Sequence, residues 1–250
     1  SNSNNGFVSK VIRYKGVAAH AAGAPHLGVN ALNAASLGLS ALAYQRETFR
    51  DNDHVRIHPI ITKGGNLVNV VPDEVVIETL VRAANKDAIA DAAAKTDRAF
   101  KSGAYAIGAQ CQITTMPGYL PALSAEANEE VLASAQIASQ SSKKDYEVVK
   151  QDTTAHSGGS TDVGDVQHLQ PVLTFNTGGK VSGLHSVDFD IVDDELAYVV
   201  TAKICALSAY RLLKNGAEKA KEVVENYHPI FTKEAYIQYM DSFISEITDL

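Results

Sequence analysis

Two histidines, His20 and His26, stand six residues apart in GVAAHAAGAPHLGVNALNAA (16–35), among alanines and glycines. Small neighbours leave an imidazole reachable, whereas core histidines are packed by bulky ones. A reachable imidazole can move a proton, donate to an oxyanion or ligate a metal. Three further places gather polar side chains: Asn69 in NVVPD, the loop HSGGSTDVGD (156–165) and GLHSVDF (183–189). His185 is the best metal candidate, because it follows an apolar run and the glycine loop GGKVSG, where α/β sheets place their sites. One His is not a site: zinc or manganese needs three or four His, Asp, Glu or Cys ligands. The pattern yields no convincing set. It also has no GxSxG elbow, P-loop, GxGxxG or CxxC.

The elements that would hold these residues follow from periodicity. FVSKVIRYK alternates apolar and polar and predicts a half-buried strand. Leu32, Ala35, Leu39 and Leu42 recur at helical spacing after Asn30, a good N-cap. HVRIHPIIT is β-rich, but Pro59 removes a ladder donor and assigns it to an edge or a bulge. LVNVVPDEVVIETLVRA predicts a strand region broken at Pro72. Asn85 caps a second helix with Ile89, Ala92, Thr96 and Phe100 on its apolar side and Gly103 suited to its end. AQCQITTMP closes as a strand. The order β-α-β-β-α-β is the ferredoxin-like split arrangement.

From Gly118 the character changes. A helix is expected from Ser124 to about Ser139, YEVVK and PVLTF read as strands, and PVLTF is apolar enough for a buried parallel one. A helix apolar almost all round, and so expected to be buried, runs from Asp193 to about Leu213, stopped by Gly216. The tail reads as amphipathic helices with packing aromatics. This half has too few strands for a domain of its own: a buried parallel strand needs neighbours that must come from other sequence or another chain. The expected division is a leader or a cloning remnant over 1–6, a ferredoxin-like domain over 7–117 and a C-terminal α/β portion with extra C-terminal helices over 118–250.

Composition narrows the partners. The 250 residues carry a net charge of −7, with no basic stripe for nucleic acid and no cationic cluster for an anionic membrane. Apolar runs fall short of 18 residues, so no membrane span is expected. The polar start is no signal peptide. Cys111 and Cys205 read as two buried free thiols, which suits the cytoplasm.

Taken in order, GVAAHAAGAPHLGVNALNAA, IITKGGNLVNVVPDEVVIETLVRA, GGSTDVGDVQHLQP and GLHSVDF resemble the M20 family of metallopeptidases and amidohydrolases. The branch of aminoacylase-like and p-aminobenzoyl-glutamate hydrolase-like enzymes is the nearest likeness. The resemblance spans about residues 7–213 and implies a ferredoxin-like lid that dimerises, attached to the C-terminal part of an α/β catalytic domain. It implies hydrolysis of amide bonds in N-acyl amino acids or small peptides, with two divalent ions, zinc or manganese, in the complete enzyme. The upstream ligand motif and general base of the family have no counterpart here, so the chain is expected to be incomplete and inactive alone, with no ion necessarily held. By position, His20 resembles the lid histidine that reaches a partner's site and stabilises an oxyanion, and Asn69 a lid Asn that contacts substrate in trans. Arg82 resembles a lid Arg that pairs with a substrate carboxylate, Gly159 and Ser160 the loop gripping that carboxylate, and His185 the last metal ligand. The implied partners are a second copy of the chain and a small substrate.

Plainer roles stay open beside these. Asn69 also suits a bulge, Arg82 a surface ion pair, and the 156–165 loop a turn with Asp162 and Asp165 as caps. His26 reads as structural, bonding backbone at the helix start. His54, His58, His156, His168 and His228 read as surface or structural. A non-catalytic dimerisation or binding module is the alternative function.

Overall fold

The computed structural model describes residues 2–181, 183 and 185–249. They form two compact units. One joins the described residues of 4–122, 157–165 and 231–249; the other joins those of 2–3, 123–156 and 166–230.

The first unit is an antiparallel sheet with two helices on one face. Its elements are β1 (Gly6–Lys15), α1 (Ala31–Gln45), β2 (Arg56–Ile57), β3 (Ile60–Lys63), β4 (Glu74–Ala83), α2 (Lys86–Ile107) and β5 (Gln110–Pro117). The strand order β5-β1-β4-β2, with β3 also on β4, realises the ferredoxin-like expectation. Alternation in β1 turns Val8, Ile12 and Tyr14 to the helices, all buried; Ile12 lies opposite Ile77 of β4 and Ile113 of β5. Pro59 separates β2 from β3 at the edge, followed by a register shift between Ile61 and Lys63. The helix starts are as expected: Asn30 Oδ1 accepts from Leu32 and Asn33 N–H, and Asn85 Oδ1 from Ala88 N–H. The buried side of α2 includes Ile89, Ala92, Thr96 and Phe100.

Gly103 is not the helix terminator that its type suggested. Gly108, at φ 77°, ends α2, and Gly103 lies where α1 presses closest: a Cβ there would stand 2.2 Å from Ala34 O. Residues 4–6 are not a loose leader either. Asn5 is buried, and Asn4 N–H donates to Ala122 O.

The tail departs from an all-helical reading. After helix α5 (Lys233–Asp241) it ends in strand β6 (Ser245–Asp249), antiparallel to β5.

In the second unit, α3 (Glu129–Gln140) starts at Asn128 rather than Ser124. It packs with α4 (Thr201–Glu225) and the π-helical turn Glu195–Val200 before it, around Ala138, Val200 and Ile204. Arg211 bonds Glu130 across the pair at 2.8 Å. Among the described residues, YEVVK and PVLTF form no strand. Among the described residues, the backbones of 147–150 and 172–175 find no hydrogen-bonding partner. Tyr146, Val148 and Phe175 instead line an apolar cavity of about 440 Å³. A strand is made by its neighbours, and none flanks these segments here. Along α4 only Ile204 and Ser208 are buried, so an apolar composition did not bring burial. The segment Glu195–Glu225 is long and apolar enough to cross a membrane by length and composition, although its backbone is non-helical from Lys214 to Ala217, around Gly216. Cys111 is buried as expected, but Cys205 is exposed.

Candidate active-site residues at two ends of the lid

Beyond Lys15, β1 runs into the His20 loop, and the chain returns past Asn69 into β4. The two loops are zipped by backbone bonds. Ala21 N–H donates to Asn69 O at 2.9 Å, Val71 N–H to Ala19 O at 2.9 Å, and Gly16 N–H to Asp73 O at 2.8 Å. His20 and Val70 form an isolated bridge. The structure therefore brings His20 and Asn69 side by side, both exposed. Gly16 makes this possible, because a Cβ there would sit 2.0 Å from Val29 O. Behind the loops, the Glu74 carboxylate grips Lys63 and Arg13. The Lys63 ammonium and then the Arg13 guanidinium hold its carboxyl below the usual carboxylate range. This ionic clamp was missed in the sequence; its only signal is the strand register, which pairs Arg13 with Val76 and so puts Glu74, two residues away on β4, diagonally across from it.

The His20 ring is oriented by its own loop. Nδ1 accepts from Gly23 N–H at 3.0 Å and Ala22 N–H at 3.2 Å. An accepting Nδ1 places the proton of the neutral ring on Nε2. His20 thus offers one N–H, a donor that suits an anionic or carbonyl oxygen, and the backbone of Asn69 lies opposite Ala21, next along the ladder. Val17, Leu27, Leu67 and Val68 are exposed near these loops. His26 does not cap the helix; Asn30 does, and His26 is exposed in a short 3-10 turn.

Arg82 is elsewhere. It lies eight residues along β4 from Glu74, about 26 Å at strand rise. Its guanidinium stands 6.0 Å over the Phe7 ring, its cross-strand partner. Among the described residues it has no ion pair, so the surface-pair reading is not realised. Gly159 comes to this same end: Asn5 N–H donates to Gly159 O at 3.0 Å, and the next residue, Gly6, pairs with Ala83. Ser160 Oγ is buried there and, among the described residues, has no hydrogen-bond partner. Asp165 does bond backbone, accepting from Leu120 N–H at 2.8 Å. The six candidates therefore fall into His20 with Asn69 at one end, Arg82 with Gly159 and Ser160 at the other, and His185 in the second unit.

His185 is exposed, in left-handed backbone at φ 66°. Its neighbour Leu184 and nearby Ser182 lie outside the described residues. Among the described residues, no three His, Cys, Asp or Glu side chains gather as a metal set. The donors among the described residues do not assemble a two-ion site.

A sequence model of the peptidase dimerisation domain of the M20 family matches residues 2–107. This segment is an M20 dimerisation domain. The Xaa-Arg dipeptidase of Mus musculus is 32% identical over 102 residues, 41% of this chain and 23% of that protein. Aminopeptidase PepT of Bacillus cereus has a similar structure (TM-score 0.55, 21% identity), over 83% of this chain and 53% of that one. A tripeptidase of Staphylococcus aureus is similar too (TM-score 0.53, 20% identity), over 84% and 51%. The chain spans about half the length of these two structures, and they share its mixed α/β fold.

Proposed function

We propose that this chain is the lid-bearing part of a metal-dependent M20-type hydrolase that cleaves amide bonds in N-acyl amino acids or small peptides. The observation that carries the reading is the exposed His20, its ring oriented by its own loop and that loop tied by backbone bonds to the one that bears Asn69. The Nε2–H of His20 would donate to the oxygen that gains charge as the amide carbon becomes tetrahedral, a contribution of roughly 3–4 kcal/mol in comparable sites. Asn69 would hold the same substrate. Arg82, with the Gly159–Ser160 backbone near it, would take a carboxylate, the group that guanidinium forks bind best. The mouse relative, a dipeptidase by name, favours a small peptide or amino-acid amide. The metal, zinc or manganese, would need ligands besides those that this chain brings together, and no step is assigned to it.

Two ends separated by the length of β4, about 26 Å from Glu74 to Arg82 at strand rise, cannot serve one small substrate from a single lid. We therefore assign them to two sites of a homodimer: each site takes Arg82 from one protomer and His20 with Asn69 from the other. The β2–β3 edge, with Ile60 and Ile61 exposed, is the surface assigned to the second copy.

A non-catalytic dimerisation module is the second reading, in keeping with the match to a dimerisation domain over residues 2–107. Assays of amino-acid release from N-acyl amino acids and dipeptides, with Zn²⁺ or Mn²⁺, separate the two. They are run on the chain alone and with any polypeptide that co-purifies. Turnover that falls about 10²–10³-fold in His20→Ala supports the hydrolase. Binding of substrate without turnover in every preparation supports the module.

A further inference from the structure

Without the tail, strand β5 would be the flank of the sheet. Its eight residues, QCQITTMP, include no charge, and seven of them can donate from the backbone. An uncharged, β-prone edge is a template for adding another chain. The molecule covers it with its own tail. β6 pairs antiparallel, with Ile247 opposite Ile113 and Ser245 opposite Thr115. The Gln112 carboxamide donates to the Glu246 carboxylate. Aromatic contacts anchor the approach. The Tyr239 ring lies 5.3 Å from Phe231 and 5.2 Å from Phe243, and its hydroxyl donates to Lys86 O at 3.2 Å. Phe243 packs against the core. β6 is itself a poor template, being short and carrying the exposed Glu246 outward.

We propose that the C-terminal tail, Phe231–Asp249, is an edge guard: it occupies β5 so that a second copy pairs only through the opposite β2–β3 edge. One open edge closes a two-fold dimer, whereas two open edges propagate sheets without end. The tail thereby sets the size of the assembly. The inference rests on the reading of this sheet as the dimerising surface.

The test keeps the full chain and loosens only β6, with Ile247→Pro, which removes a ladder donor and fixes φ, and the milder Ile247→Gly. Hydrogen exchange and sedimentation equilibrium over a range of micromolar concentrations are measured on each. The expected result is exchange about tenfold faster at β5 amides with β1 and β4 still protected. Mass would grow past the dimer as concentration rises, and a synthetic 231–250 peptide would reverse that growth. Freed β5 amides with an unchanged mass would overturn the guard, as would unchanged β5 protection in both variants. Should Ile247→Pro also strip protection from β1 and β4, Ile247→Gly decides. A monomeric wild type would contradict the dimer reading alone; the guard then stands or falls on whether the variants self-associate.

Discussion

The two units differ in what their strands find beside them. In the lid, each strand over residues 6–117 lies against a partner from the same unit, and the alternation read from the sequence becomes burial. In the second unit, YEVVK and PVLTF have comparable β character but pair with no strand among the described residues, and residues of both line an apolar cavity. The contrast teaches that residue pattern sets which face of a strand is apolar, while pairing decides whether the strand exists. Breaking lid interactions should therefore cost much and leave the second unit alone.

The largest effect is expected at the buried ion pair of the lid. Lys10 Nζ lies 2.7 Å from Asp97 and 2.8 Å from Thr115 Oγ1, with the lysine side chain almost wholly buried. Burial pulls the Lys10 pKa down, against the pull of Asp97. Asp97→Ala strands that ammonium and is expected to cost about 3–5 kcal/mol in chemical denaturation, whereas Lys10→Met with Asp97→Leu together should be close to neutral. Gly103→Ala comes next. It forces a methyl against the α1 backbone and is expected to cost about 1–3 kcal/mol. Asn85→Ala removes the α2 cap and should cost about 1 kcal/mol. Each loss should be read from the lid's transition, with the hydrogen exchange of α3 and α4 unchanged.

The second unit offers a subtler handle. Asp193 bonds Lys144 at 2.6 Å, Leu196 N–H at 3.1 Å and Tyr146 Oη at 2.9 Å. These contacts, the Lys144 ammonium foremost, hold its carboxyl at about 2, against 3.8 ordinarily. A carboxyl depressed by folding stabilises above its unfolded value. The contribution is present above about pH 4 and is lost as pH falls from there through about 2. Asp193→Asn should flatten that acid step, seen by circular dichroism, and leave the lid's acid profile as it was.

Much of the lid was legible because its signals are local. Asn30 and Asn85 cap as their positions suggest, Pro59 breaks an edge, and β1 alternates. Gly103 misled because a glycine marks both helix ends and close helix crossings, and only tertiary packing tells them apart. In the tail, aromatic residues at helical spacing hid five that pair as a strand. α4 looked buried because composition records apolarity, not the surface available to cover it. At the site, the closeness of His20 and Asn69, 49 positions apart, followed from no spacing rule. It arises from backbone bonds between two loops, just as the separation of Arg82 from both arises from the length of β4.

The most direct test of the two-ended lid is complementation between protomers, in the metal-loaded preparation that shows turnover. His20→Ala and Arg82→Ala chains are each purified, mixed, allowed to exchange subunits and assayed for hydrolysis. If His20 and Arg82 of one site come from different protomers, each mixed dimer has one site with both residues and one with neither, and random mixing restores about a quarter of the wild-type activity. Activity no higher than that of the two parents would contradict the account, because both residues would then serve their site from the same chain.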